Sequence, residues 1–194
     1  TGLYPRDGHI LGISLSYEED RGVYIDTECF DERTEALLQT LANQTTIVFH
    51  NAKFDMAFFE YHFNLTFPKF EDTMLLHYLI DENPGTHGLK QLAMKYTVYG
   101  DYEKPQYDWM AQYRKDHGIL KNDFTWDLIP FDIMKTYAAM DAVVTLLLFE
   151  KFEAPLKSND KLYWVYKNLL IEGVRFLKDA ESNGVPFDKT RLEF

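Results

Sequence analysis

The strongest constraint on this chain is a run with no breaker in it. Residues 131–152 contain neither proline nor glycine, and Ala138, Val144, Leu147 and Leu148 fall at helical spacing. That pattern predicts one long helix with a wide apolar stripe. The stripe has to be buried, so the rest of the chain must pack against it. The same helix carries Tyr137 and Asp141, four positions apart, so both side chains leave one face. A phenol and an acid beside a buried stripe mark a candidate site. A solvated Asp next to a packed Tyr has the same short signature.

The surrounding elements follow from periodicity and punctuation. Residues 9–16 alternate, residues 17–22 form a polar turn, and residues 22–26 return, which predicts a hairpin. Asp31 fits an N-cap, opening a helix with Ala36, Leu37, Leu38 and Leu41 that runs to Asn43. Residues 45–49 form a short apolar run, as in a buried parallel strand. That strand feeds into His50-Asn51-Ala52-Lys53-Phe54-Asp55. Asn51 is expected to cap the next helix, with Asp55 in or near its first turn. Open α/β sheets keep their sites at such strand exits. A cap and a favourable helix-start acid account for the same two residues without any chemistry.

Further along, a short strand is expected over residues 67–70, and Asp72 is placed to cap a helix through Leu75, Leu76, Leu79 and Ile80. Asn83-Pro84-Gly85 stops it. Residues 88–96 predict another short helix. Residues 98–129 read as a long functional loop with some helix. Residues 155–160 should break the chain, and residues 161–182 form a second long helix, with Leu162, Val165, Leu169, Leu170, Val174 and Leu177 apolar. Asn183-Gly184 is its C-cap signal. A hairpin followed by alternating helices and strands predicts an α/β layered domain with a mixed sheet. The last helix lies outside that pattern and leads away from it.

Composition narrows the function. The 194 residues are 46% hydrophobic, enough for one core or one core with an appendage. A net charge of −11 argues against a passive nucleic-acid binder, which would carry a basic face, but suits a metal site built from carboxylates. Cys29 is the one cysteine, so no disulfide forms within the chain and a reduced, intracellular setting fits. No apolar run approaches the roughly 20 residues of a membrane span. His50, His77, His87 and His117 lack zinc-ligand spacing and read as structural or surface residues.

Taken together, the motifs resemble the 3′–5′ exonuclease (proofreading) domain of family A DNA polymerases, in the DEDD exonuclease superfamily. Asn51-Ala52-Lys53-Phe54-Asp55 is similar to that family's second motif and Tyr137-Ala138-Ala139-Met140-Asp141 to its third. Asp72-Thr73-Met74-Leu75-Leu76 and His87-Gly88-Leu89-Lys90-Gln91-Leu92-Ala93 resemble the stretches between. Glu181-Ser182-Asn183-Gly184-Val185-Pro186-Phe187-Asp188 is similar to the entry into the polymerase domain. The first motif, D-x-E, departs. Thr1-Gly2-Leu3 resembles the turn that follows it, so the motif and the first strand are expected before residue 1. Asp26-Thr27-Glu28 has the right letters but follows a hairpin instead of preceding one, and is read as a decoy.

The resemblance implies a ribonuclease-H-like mixed β-sheet flanked by α-helices, with an exonuclease domain over residues 1–156. Residues 157–194 would form a linker helix toward a polymerase domain. It implies removal of 3′-terminal nucleotides from single-stranded or mispaired DNA, with two divalent metal ions, Mg²⁺ or Mn²⁺. Asp55 and Asp141 would be the metal ligands, and Tyr137 would orient the attacking water. Leu3, Asn51 and Lys53 would contact the strand. Tyr102, Tyr107, Trp109, Tyr113 and Trp126 would stack bases, or form a small satellite core. Expected partners are a single-stranded DNA 3′ end and an attached polymerase domain, in the cytoplasm of a bacterium or of a virus-infected cell. A scaffold without catalysis and a ribonuclease D-like enzyme are the rival readings.

Overall fold

β1 (Gly12–Glu18) and β2 (Arg21–Asp26) form the antiparallel hairpin that alternation predicts, with Ile13 opposite Ile25 and Leu15 opposite Val23. A computed structural model describes residues 2–186, 188 and 191 of the chain. Helix α1 (Glu32–Gln44) opens at the expected cap, where the Asp31 carboxylate accepts the Thr34 N–H at 2.8 Å. It buries only Ala42, and Leu37 and Leu41 stay exposed. β3 (Ile47–Phe49) pairs in parallel with β4 (Phe70–Asp72). That second strand starts where the expected one ended. Pro68 has no N–H to give a ladder, and pairing begins with the Ile47 N–H on the Lys69 carbonyl.

The fold is α/β, mostly helical, with both pairing senses of a mixed sheet. Among the described residues the strands form two separate ribbons, β1–β2 and β3–β4. Both contact α6 (Phe131–Lys157), the 27-residue helix that the unbroken run predicts. Val143, Val144, Leu148, Phe152 and Leu156 are buried along it. The helix outruns its expected end: Pro155 lies inside its last turn and gives up one ladder bond there, and the helix closes two residues later. At Gly22 of β2 the hairpin meets this helix backbone to backbone. A Cβ there would sit 2.4 Å from the Ala139 carbonyl oxygen.

Helices α2 (Ala52–Phe63) and α3 (Thr73–Ile80) both start at one carboxylate. Asp72 Oδ2 accepts the Ala52 N–H at 2.8 Å, and Oδ1 accepts the N–H groups of Asn51 at 3.1 Å and Met74 at 2.9 Å, with Leu75 at 3.4 Å. Asn51 is therefore not the side-chain cap it was expected to be. It adopts the left-handed conformation, φ 66°, and its side chain makes no cap bond. Asn tolerates that conformation better than most residues. The Asp72 N–H in turn donates to the Tyr166 hydroxyl at 2.9 Å.

Residues 98–129 contain more order than a loop. After α4 (Leu89–Tyr96) comes α5 (Lys104–His117), closed by Gly118 at φ 66°. Its inward residues are Gln106 and aromatics instead of aliphatics, so hydrophobic periodicity does not reveal it. Trp109, Tyr113 and His117 stack in turn along it, at 4.8 and 4.0 Å between centroids. The last helix is also not uniform. α7 (Asp160–Val165) passes through a π-helical turn, Tyr166–Leu170, into α8 (Ile171–Asn183). The turn rotates the face, burying Tyr166, Ile171 and Val174 and leaving Leu169 and Leu177 exposed. Gly184 ends it as predicted, at φ 68°. Thr1 and Phe187, parts of the turn and tail motifs, lie outside the described residues.

Replacing Asp72 by Ala orphans donors at two helix starts, one of them fully buried. Urea denaturation should show a loss of about 2–4 kcal/mol. Asp72→Asn, which keeps an acceptor oxygen, should lose less.

Candidate active site

The start of α2 places Asp55 one turn into the helix, near the dipole's positive end. The interior of α6 supplies Tyr137 and Asp141 on one face. Asp55 and Tyr137 line the same cleft of about 390 Å³, together with Gly12, Tyr24, Phe58 and Trp126. Burial pushes the Asp55 carboxyl up to about 7, and the negative charges of Asp72 and Asp141 push in the same direction. Burial likewise lifts Asp141 to about 6. Hydrogen bonds from Tyr102 and Tyr137 oppose that shift, and the charge of Glu103 adds to it. Asp55 thus feels the charge of Asp141, although the two are remote in sequence. Like charges brought this close are unfavourable without a cation between them.

Tyr137 is held as a neutral phenol. Burial first, and then the charge of Asp141, raises its ionisation well above the usual range. A group so hard to deprotonate orients and donates, and is no base. Its ring lies 6.0 Å from that of Trp126 and 6.5 Å from that of Tyr102.

The expected strand contacts are placed differently. Leu3, Asn51 and Lys53 do not line the cleft. Leu3 is 81% exposed. Asn51 offers its N–H to Asp72. Lys53 Nζ pairs with Glu181 Oε1 of α8 at 2.6 Å. Asp26 caps a short 3-10 turn through the Glu28 N–H, and neither Asp26 nor Glu28 lines the cleft. The histidines act structurally: His50 Nδ1 meets Thr73 Oγ1, and His77 Nδ1 meets His87 Nδ1, each at 2.8 Å. Among the described residues, no group of three or more His, Cys, Asp or Glu side chains is arranged to hold a metal ion.

One residue at the site carries a role that the sequence did not signal. Tyr102, expected to stack bases, donates its hydroxyl to Asp141 Oδ1 at 2.5 Å. Its neighbours Asp101 and Glu103 are both held by Lys90, at 3.3 and 3.4 Å. No spacing rule links residues so far apart as Lys90, Tyr102 and Asp141.

An α/β domain that sets a buried carboxyl beside a tyrosine in one cleft, with a second carboxyl hydrogen-bonded to that tyrosine, has the makings of a hydrolase site. The chain belongs to the 3′–5′ exonuclease family, whose model matches residues 1–157. It is 48% identical, over its whole length, to the DNA polymerase of Escherichia phage T5, covering 24% of that protein. It is 30% identical over 99% of its length to the DNA polymerase of Bacillus phage SP01, and 28% identical over 95% to DNA polymerase I of Borreliella burgdorferi, covering 20% of each. The chain thus spans a quarter or less of these relatives. The family is one of metal-dependent exonucleases. Among the described residues no helix is long and apolar enough to cross a membrane.

The two raised carboxyls set a stability trend. Between about pH 4 and 7 these two groups hold protons in the folded chain that the unfolded chain has released, so their contribution to stability falls as pH rises. Asp72, also raised, acts in the same sense. His50, pushed down to about 4 by burial, acts against them below its ordinary value, leaving the carboxyls alone above about 6.5. Urea midpoints in EDTA should therefore fall between pH 5 and pH 8. Asp55→Asn should flatten the fall, and an unchanged slope would remove Asp55 from this account.

Proposed function

We propose that the chain is the proofreading part of a DNA polymerase, trimming mispaired 3′-terminal nucleotides from single-stranded DNA ends. The Asp55 carboxyl, raised in part by the charge of Asp141 and lining one cleft with Tyr137, carries this reading. The chemistry of the two acids suits Mg²⁺ or Mn²⁺: hard oxygen donors, mostly buried, whose charges oppose one another until a divalent cation offsets them. Two such ions, when bound, supply charge stabilisation to the entering and leaving oxygens of a phosphodiester. The chain's own groups do the rest. Asp55 and Asp141 hold the charge in place. The Tyr137 hydroxyl, kept protonated, orients the attacking water. The aromatic walls, Trp126 and Tyr24 among them, exclude bulk solvent and offer a face to the terminal base. Positioning and electrostatics are the main contributions expected for this reaction.

Two carboxylates are fewer than the resemblance requires, so the D-x-E is assigned to a strand N-terminal to residue 1. Each of the four strands has one unpaired edge among the described residues, so either ribbon can take a further strand, and both contact α6. Residues 157–194 then lead toward the polymerase domain, and the whole works in the cytoplasm.

The trial is hydrolysis of a 3′-labelled single strand in Mg²⁺ by a chain extended upstream through its D-x-E. Cleavage is expected, and Asp141→Ala should abolish it. The 194-residue chain alone should cleave weakly or not at all. Inactivity of the extended chain would leave the scaffold reading.

A further inference from the structure

From the contacts around Asp141, we infer that Tyr102 is a positioning residue for this carboxylate, held in place by Lys90, and that it presents Asp141 for cation binding. The inference rests on the reading of Asp141 as a metal ligand and adds a residue to it.

The geometry is specific. A free carboxylate on a helix rotates, and a cation needs its lone pairs aimed one way. The Tyr102 hydroxyl donates to Oδ1 at 2.5 Å and Tyr137 also hydrogen-bonds the carboxylate, which together restrict its rotamer while acceptor lone pairs remain. Tyr102 is itself fixed from both sides. It lies between Asp101 and Glu103, and one ammonium, Lys90 Nζ on α4, binds both carboxylates. Lys90 also lies over the Tyr107 ring, 4.6 Å from its centroid. Glu103 is buried, and Lys90, itself half-exposed, is the cation that lies beside its carboxylate. The Tyr102 and Tyr137 rings stack at 6.5 Å, which joins this contact to the residue read as the water-orienting phenol. α5 thus begins with a turn latched to α4 whose one inward hydroxyl meets Asp141. Hydrogen-bonded supports of this kind orient ligands, and their loss typically costs about 10–100-fold in metal affinity.

The opposite role is a blocker, in which the hydroxyl occupies the place that a cation needs. The two roles differ in sign. Mn²⁺ is added to the 194-residue chain, and paramagnetic broadening of the amide signals of residues 137–141 reads the apparent affinity. Tyr102→Phe removes one oxygen. It should weaken Mn²⁺ binding about 10–100-fold while the urea midpoint stays near that of the parent. Equal or tighter binding would overturn the inference and leave the metal reading of Asp141 standing. No broadening in the parent would remove the metal reading of Asp141 in this chain, and the inference with it. Should Tyr102→Phe fail to fold, Lys90→Met serves, since it releases the latch without touching the cleft. Weaker Mn²⁺ binding than the parent, restored by Lys90→Arg, supports the inference, and unchanged binding overturns it.

Discussion

One buried carboxylate orders the middle of this molecule. Asp72 ends β4, begins α3, and supplies the acceptors that the start of α2 lacks. An isolated carboxylate in such a place would be costly. Here the N–H groups of two helix starts surround it, and two helix dipoles point their positive ends at it. Burial still dominates and raises its ionisation, so the balance is narrow. The Tyr166 hydroxyl, brought inward by the π-helical turn, closes the arrangement by accepting the Asp72 N–H. A distant helix is thus tied to the strand exit from which the site is built.

The site inherits a conflict from that order. Asp55 stands one turn beyond the ring of N–H groups that neutralises Asp72, and the charge of Asp141 reaches it. Neither has a cationic partner among the described contacts. A chain with a net charge of −11 has few cations to spare, and several of them are engaged elsewhere: Lys53 with Glu181, Lys167 with Glu71, Lys90 with Glu103. Local rules of charge pairing are broken at one place, and such places are where function is expected. The conflict makes the pocket receptive to positive charge from outside.

Much of this was legible in the sequence where one strong local signal acts alone. The hairpin alternates, the long helix lacks a breaker, and Asp31 and Asp72 cap as their positions suggest. The parallel pair of strands follows from a short apolar run. Legibility fails where packing overrides the local signal. Asn51 has the letters of a cap, but the tight exit from β3 puts it at positive φ, and an acid from another strand takes its place. α5 hides because its inward face is built from Gln106, Trp109 and Tyr113. The π-helical turn shifts the apolar face by one residue, so Leu169 and Leu177 face solvent although their spacing suits a core. At the site, Tyr137 and Asp141 are readable because one helix holds both. The partnership of Tyr102 with Asp141 is not, because it depends on how α5 is latched to α4.

The bare backbone contact at Gly22 has a consequence for the architecture. Where side chains interlock, the separation of two layers follows the size of the residues between them. Here the separation of hairpin and long helix is set by the thickness of two peptide groups, directly beside Met140 and Asp141. Hairpin residues elsewhere are then at liberty to drift in size over evolutionary time without altering how far the acid's turn stands from the strand. The molecule carries its own spacer gauge, made of backbone and dependent on one residue, the glycine that leaves that backbone bare.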